Sequence, residues 1–183
     1  SIIRRDDMFW SVNANMRHQT SEYRNVSDVL TKYNLDNRNR NLTRYYDGGS
    51  PSDLWAVRSC GIDPATGREI FLTKEGKQTF VHDYDDEMVV GNSDPDVEGV
   101  IGTSFYYKGF SASINLRYRL GGQIFMQTLY DKVENLSSVK KWENLDKRAL
   151  YDRWKQPGDK AKFKSIADSE VTPISSRFVE DNN

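Results

Sequence analysis

The sequence is poor in cysteine, histidine and long apolar runs. Cys60 is the only cysteine among 183 residues, so neither an internal disulfide nor a cysteine-based zinc site can form within the chain. No stretch approaches the roughly 18 consecutive apolar residues that a membrane helix needs, which excludes a helical membrane protein. The strands of a membrane β-barrel alternate apolar and polar residues, so the absence of such runs leaves that class open.

Neither sign of charge is in excess. Lys and Arg number 26 and Asp and Glu 27, which gives a net charge of -1. A general nucleic-acid binder has a basic surplus, so we expect no nucleic-acid partner. Aromatic residues make up 12% of the chain, too many for a disordered protein. The first residues contain neither an initiator Met nor the apolar core of a signal peptide, and no clear element closes the chain, so we expect a fragment.

Alternation with a period of two predicts long β-strands. Residues 8–17 place Met8, Trp10, Val12, Ala14 and Met16 on one face and Phe9, Ser11, Asn13, Asn15 and Arg17 on the other. The same pattern runs from Gly99 to Thr128, with a tight turn at 108–110. We predict strands over about 8–17, 99–108, 110–128 and 174–183. The first three are longer than the ~5–6 residues typical of soluble sheets.

Two long polar segments, 18–98 and 129–172, lack this alternation of apolar and polar residues. Residues 70–73 and 78–81 flank a turn containing Gly76, which predicts a short hairpin. Asn144 before a run with Leu150 and Trp154 four residues apart predicts a helix over 144–154, ended by Pro157-Gly158.

Alternation alone fits two kinds of protein. In a soluble β-sandwich, such as a carbohydrate-binding module, the apolar face is the core. In a membrane barrel the apolar face meets lipid and the polar face lines the lumen. Strand length, the contrast between the short turn and the long segments, and aromatic residues near strand ends favour the barrel. Those aromatic residues are Phe9, Trp10, Phe105–Tyr107, Phe110 and Phe125.

Several segments resemble the C-terminal part of the SusC/RagA family of TonB-dependent outer-membrane transporters. They read LWAVRSCGIDPATGREIFLTKEG, GNSDPDVEGVIGTSFYYKGFSASINLRYRLGGQIF, NLDKRALYDRWKQPGD and TPISSRFVEDNN. They occur in the order found in that family, and the resemblance extends from about residue 8 to residue 183.

The resemblance implies an all-β fold, namely an antiparallel, long-stranded sheet from a large transmembrane β-barrel. The family barrel has roughly 22 strands around a plug domain, so the chain would be an incomplete barrel that lacks the plug and cannot close alone. Segments 18–98 and 129–172 would be extracellular. The resemblance further implies import of glycans or peptides across the outer membrane, together with a SusD-like surface lipoprotein and with TonB, which would act through an N-terminal region outside this chain.

Two sets of residues are candidates for contact with the transported solute or with a partner. The predicted lumen face carries Asn13, Asn15, Arg17, Asn115, Arg117 and Arg119, whose side chains can hydrogen-bond to sugar hydroxyls or peptide carbonyls, or to a plug. Trp142, Tyr151 and Trp154 lie in the second polar segment, where they could contact a ligand or the lipoprotein, or simply fold the segment.

We predict no catalytic site, metal site or cofactor. His18 and His82 stand far apart in sequence and outside any metal-binding spacing. Cys60 has no evident catalytic partner, and we expect a packed side chain. The acidic run Asp83–Glu87 lacks the spacing of a calcium loop, so we expect a solvated loop.

Overall fold

The structure is a computed structural model that describes residues 2–40, 43–136, 145–167 and 170–182. Trp142 and Asn144 lie outside the described residues. The chain divides into two compact units. Unit 1 comprises Ser1–Thr20, Asp94–Gly122 and Asp181–Asn183, and unit 2 comprises Ser21–Ser93 and Gln123–Glu180.

The fold is mostly antiparallel β-sheet with a few short helices. The strands are β1 (Ile3–Arg5), β2 (Met8–Arg17), β3 (Asp53–Ile62), β4 (Glu69–Leu72), β5 (Gln78–Thr79), β6 (Glu87–Asn92), β7 (Val97–Tyr107), β8 (Phe110–Leu120), β9 (Gln123–Phe125) and β10 (Val179–Asp181). The helices are α1 (Asp28–Asp36) and α2 (Gln127–Leu129), which continues as a π-helical turn over Tyr130–Glu134. Short 3₁₀ turns cover Tyr84–Asp86, Lys147–Ala149 and Ser176–Phe178. In the part of the chain that the structure describes, no helix is long and apolar enough to cross a membrane.

Unit 1 is an open four-stranded sheet in the order β1-β2-β7-β8. Lys108 and Gly109 form the two-residue turn between β7 and β8 with φ of 44° and 87°, as a type I′ hairpin turn requires. Pairing continues without a bulge from Tyr107↔Phe110 to Val97↔Leu120. Among the described strands β8 pairs only with β7, so the prediction that the chain forms an open sheet rather than a closed barrel is confirmed.

The ends of the long strands differ from the expected bounds. β7 extends over Val97–Tyr107 rather than 99–108, because Lys108 belongs to the turn. β8 stops at Leu120 instead of reaching residue 128. Gly121 and Gly122 follow with φ of 77° and 80°, a left-handed conformation that interrupts a strand and is open to glycine. The next strand, β9, pairs with β10.

Unit 2 contains a second antiparallel sheet in the order β5-β4-β3-β6. The predicted hairpin around Gly76 is confirmed as β4 and β5, with Phe71 opposite Thr79. A hydrophobic core forms where α2 and its π-helical turn meet the end of the chain. Its buried members are Phe125, Leu129, Val133, Phe163 and Phe178.

Two predicted elements of unit 2 take another form. Of the helix expected over 144–154, the described part contains only the 3₁₀ turn Lys147–Ala149. Asp152 has a positive φ of 55°, and the Arg153 side chain turns inward, where Nε donates to the Ala149 carbonyl at 2.6 Å. The strand expected over 174–183 shortens to Val179–Asp181, because the 3₁₀ turn Ser176–Phe178 precedes it.

Candidate functional site

The two faces of the unit 1 sheet differ sharply in chemistry. Residues directly opposite each other in neighbouring strands lie on the same face. Asn13 pairs with Gly102 and Gly102 with Asn115, while Arg17 pairs with Glu98 and Glu98 with Arg119. The structure thus brings together on one face all six polar residues that the sequence singles out, namely Asn13, Asn15, Arg17, Asn115, Arg117 and Arg119. We call this surface the polar face.

The two asparagines at the middle of the polar face approach each other across a glycine. A Cβ on Gly102 would lie 2.5 Å from the Oδ1 atoms of both Asn13 and Asn115. Any larger residue at position 102 would therefore push these amides apart. The polar face has a continuous row of amide groups at this level only because the central strand carries no side chain there.

Arginine and glutamate side chains occupy the end of the polar face away from the β7–β8 turn. Glu98 lies 3.4 Å from Arg117 and 4.0 Å from Arg17. A cleft of about 230 Å³ at this end is lined by Arg17, Arg119, Asp94 and Glu98, among others. Both signs of charge are present, so this end can hydrogen-bond polar groups without a net preference for anions or cations.

The opposite face of the sheet, which we call the apolar face, is exposed. Met16, Ile114 and Leu116 are 76%, 66% and 63% exposed. The register places Val12 opposite Thr103 and Thr103 opposite Ile114, and Ala14, Ile101 and Leu116 form the next row. A soluble sheet buries such a face because exposed apolar area is unfavourable in water.

Aromatic residues collect at the β7–β8 turn end of the sheet. Trp10 pairs with Phe105, Phe9 with Tyr106, and Tyr107 with Phe110. Phe125 does not join them. It ends β9 but is buried in the core of unit 2, so the expectation that it belongs to an interfacial aromatic group is wrong. The register places Trp10, Phe105, Tyr107 and Phe110 on the apolar face, the side on which an interfacial girdle of a membrane protein lies. Phe9 and Tyr106 lie on the polar face instead.

The indole N–H of Trp10 has a partner within the apolar face. Trp10 Nε1 donates to Thr103 Oγ1 at 2.9 Å, and the Thr103 hydroxyl donates to the Ser11 carbonyl at 3.2 Å. This pairing satisfies a polar group that would otherwise meet an apolar environment without a hydrogen bond. We expect Thr103→Val to destabilise the sheet by about 1–3 kcal/mol, since the replacement keeps the shape but removes the acceptor.

Unfolding by guanidinium in detergent, followed by Trp fluorescence, measures this loss. Ser104→Ala is the matched control, because Ser104 lies in the adjacent position on the polar face and its hydroxyl meets another hydroxyl, Ser113 Oγ, at 3.3 Å. Equal losses in the two variants would contradict a role for the Trp10–Thr103 pair.

Tyr151 and Trp154, two of the aromatic candidates from the second polar segment, belong to unit 2 and differ in their exposure and contacts. Tyr151 is 63% exposed. Trp154 is anchored, since its Nε1 donates to the Pro64 carbonyl at 2.9 Å and its ring packs over Gly67. Trp154 therefore helps to fold its segment, while Tyr151 stays accessible.

Unit 2 contains a buried ionic network that no sequence pattern predicted. Arg177 Nη2 donates to Glu69 Oε2 at 2.9 Å and to Glu134 Oε1 at 2.7 Å. Ser175 Oγ donates to Glu69 Oε1 at 2.6 Å, and Thr172 Oγ1 to Glu134 Oε1 at 3.1 Å. Burial alone lowers the pKa of Arg177, but the two carboxylates raise it well above its usual range. The network joins the end of the chain to β4 and to the π-helical turn.

The cysteine and the acidic run considered as candidates in the sequence have the following settings. Cys60 is exposed, so the expected packed side chain is wrong. The acidic run is tied to protein groups: Asp85 contacts Arg38 at 3.0 Å, and Glu87 contacts the buried Arg44 at 2.9 Å. Within the described ranges no group of three or more His, Cys, Asp or Glu side chains could hold a metal ion.

His82 lies in an aromatic setting, and its burial bears on how stability depends on pH. Its ring meets Phe71 and Tyr84 edge-on, at centroid distances of 5.1 and 4.7 Å. Burial lowers the pKa of His82 despite the nearby Ile174 carbonyl and carboxylates. A lowered folded-state pKa means that the unfolded chain binds the proton more readily. We therefore expect the free energy of unfolding to fall as the pH drops through about 6.5, the usual pKa of histidine.

Chemical unfolding between pH 7.5 and 5.5 tests this dependence, with His82→Gln expected to flatten it. The matched control is His18→Gln, because His18 belongs to unit 1 and contacts only the Asp96 carbonyl in the described structure. A dependence that survives in His82→Gln would contradict the assignment.

Solved structures of peptide transporters share the fold of this chain, and three of them illustrate the likeness. They are the RagAB peptide transporter (TM-score 0.73, 16% identity), the RagAB peptide importer in an open-open state (0.70, 16%) and the same importer in a closed-closed state (0.74, 19%). Each alignment covers 98% of this chain but only 19–20% of that chain. No family model matches the sequence, and neither does any curated protein. The expected likeness to SusC/RagA transporters is confirmed at the level of the fold, and the chain spans about a fifth of these neighbours.

Proposed function

We propose that this chain is part of the outer-membrane barrel of a SusC/RagA-type TonB-dependent importer. The observation that carries the proposal is the unit 1 sheet, whose long strands expose an apolar face and turn a polar face to the other side. At about 3.3 Å per residue, the 11 residues of β8 span some 36 Å, enough to cross the ~25 Å apolar band of an outer membrane at a 45° tilt.

In this arrangement the apolar face contacts lipid, and the six polar residues face a water-filled lumen or a plug. The aromatic end lies at the periplasmic interface, since the two-residue turn at Lys108 and Gly109 is of the short periplasmic kind. Segments 18–98 and 129–172 are then extracellular, and Tyr151 in the second of them is exposed to a solute or to a SusD-like lipoprotein. TonB acts through an N-terminal region outside this sequence.

Peptides are the favoured solutes, because all three similar structures are named as peptide transporters or importers. The polar face fits this chemistry, since asparagine amides and arginine guanidinium groups hydrogen-bond to peptide carbonyls and carboxylates. Oligosaccharides are the alternative solutes, because the same groups bond to sugar hydroxyls.

A soluble β-sandwich module is the competing function, and the exposure of the apolar face opposes it. A sandwich packs its apolar face against a second sheet. Ile114 and Leu116 instead remain more than half exposed.

Deletion of the gene that encodes this sequence tests the proposed function. We expect the mutant cells to lose growth on a peptide mixture as the sole nitrogen source, and a plasmid copy to restore it. The encoded protein should sediment with the outer membrane and purify with a lipid-modified surface protein. Unimpaired growth on both peptides and oligosaccharides, or recovery of the protein in the soluble fraction, would refute the proposal.

A further inference from the structure

Unit 2 contains a pocket whose lining combines apolar walls with basic groups. Its volume is about 310 Å³. Leu150, Trp154 and Ile166 supply apolar surface, and Arg153, Lys155 and Ser165 supply polar groups. Both charged side chains of the lining are basic. A pocket of this composition fits a ligand that has an apolar body and a negative charge.

Arg153 is the unusual member of this lining, because the hydrogen bonds of this buried cation go to neutral carbonyls in the described structure. Burial lowers its pKa, and the nearby Glu134 carboxylate opposes that effect without a direct hydrogen bond. The residue is 6% exposed. Its Nε donates to the Ala149 carbonyl and its Nη1 to the Lys164 carbonyl at 2.9 Å. Its Nη2 meets no hydrogen-bond acceptor among the described residues. A buried charge is costly until it is paired, so a carboxylate that reached Nη2 would gain a charge-assisted hydrogen bond.

The pocket is preformed on its aromatic side. Trp154 Nε1 donates to the Pro64 carbonyl, and the Trp154 backbone N–H donates to the Phe163 carbonyl at 3.0 Å. The ring packs over Gly67, where a side chain would collide with it. A fixed ring saves the ordering cost that a mobile wall would impose on a bound ligand. Leu150 and Ile166 are 66% and 59% exposed, and a bound apolar group would cover them.

We propose that this pocket binds a carboxylate attached to a branched aliphatic group, with Arg153 and Lys155 as the anion-binding residues and Trp154 as the apolar wall. Two sources share this chemistry: the C-terminal residue of a peptide and a free short-chain organic acid. The peptide source rests on the proposed function, whereas the pocket itself does not.

The test uses the whole chain in a non-ionic detergent and measures binding by NMR, through the Trp154 indole and Arg153 Nε–H signals. The probes are N-acetyl-L-leucine, its neutral amide and 4-methylpentanoate. We expect the acid to bind at least tenfold more tightly than the amide, and binding to weaken at high salt. Tighter binding of N-acetyl-leucine than of 4-methylpentanoate identifies a peptide terminus, and equal binding identifies an organic acid.

Variants separate the pocket from non-specific attraction. Lys155→Gln should weaken acid binding at least threefold without unfolding the chain, because Lys155 is exposed. Lys160→Gln, an exposed lysine outside the lining, should leave it unchanged. Equal binding of acid and amide, equal losses in the two variants, or no binding at 10 mM probe would overturn the proposal. Such a failure says nothing about membrane location, and a soluble protein that binds the acid would contradict only the import function.

Discussion

Ile114→Arg should destabilise the membrane-folded protein that contains this chain by about 2–4 kcal/mol, because a charge on the lipid-facing side of a strand must enter hydrocarbon. Asn115→Arg should have little effect, since the polar face already carries Arg117 and Arg119 on the same strand. The two positions are adjacent in β8, so depth in the membrane is nearly the same for both. Refolding into lipid vesicles over a guanidinium series measures the two free energies.

The outcome discriminates between placements of the strand. A small effect at both positions would mean that the strand lies near an interface or outside the membrane. A larger loss at Asn115 than at Ile114 would reverse the assignment of the two faces.

Arg177→Ala should destabilise unit 2 by about 3–5 kcal/mol, because it leaves two buried carboxylates without their cation. The side chains of Glu69 and Glu134 are 7% and 0% exposed, and both accept hydrogen bonds from Arg177. Thermal unfolding followed by near-UV circular dichroism reports this loss.

Arg38→Ala is the matched control for the buried network. Arg38 pairs with Asp85 on the surface, where their side chains are 45% and 81% exposed, so its loss should cost less than about 1 kcal/mol. Similar losses for Arg38→Ala and Arg177→Ala would contradict the central role of the network in unit 2.

The long strands of unit 1 were predictable because alternation reports directly which side chains share a face. The pattern in residues 8–17 and 110–120 places the apolar residues on one side, and the observed register places their cross-strand partners there too. The end of β8 was harder to predict from the sequence. The alternating pattern continues beyond Gly121-Gly122, but these two glycines interrupt the strand.

Unit 2 was largely unpredictable because long-range contacts determine it. Arg177 and Glu69 are 108 residues apart in sequence, and no periodicity links them. The inward turn of Arg153 likewise replaces the helix that the spacing of Leu150 and Trp154 indicated. Arg153 takes neutral carbonyls as partners, and the largely buried Arg177 takes distant carboxylates. Local sequence patterns do not encode such choices.

The central claim is that one face of β8 contacts lipid and the other contacts water. Cysteine labelling tests this claim most directly. Single cysteines at 114 and 115, in a Cys60→Ser background of the membrane-inserted protein, are treated with a membrane-soluble and a charged maleimide. The proposed barrel predicts that Ile114→Cys reacts only with the membrane-soluble reagent and that Asn115→Cys reacts with the charged one. A thiol at 114 that resists both reagents would indicate a soluble core, and equal reactivity of 114 and 115 toward the charged reagent would contradict the barrel.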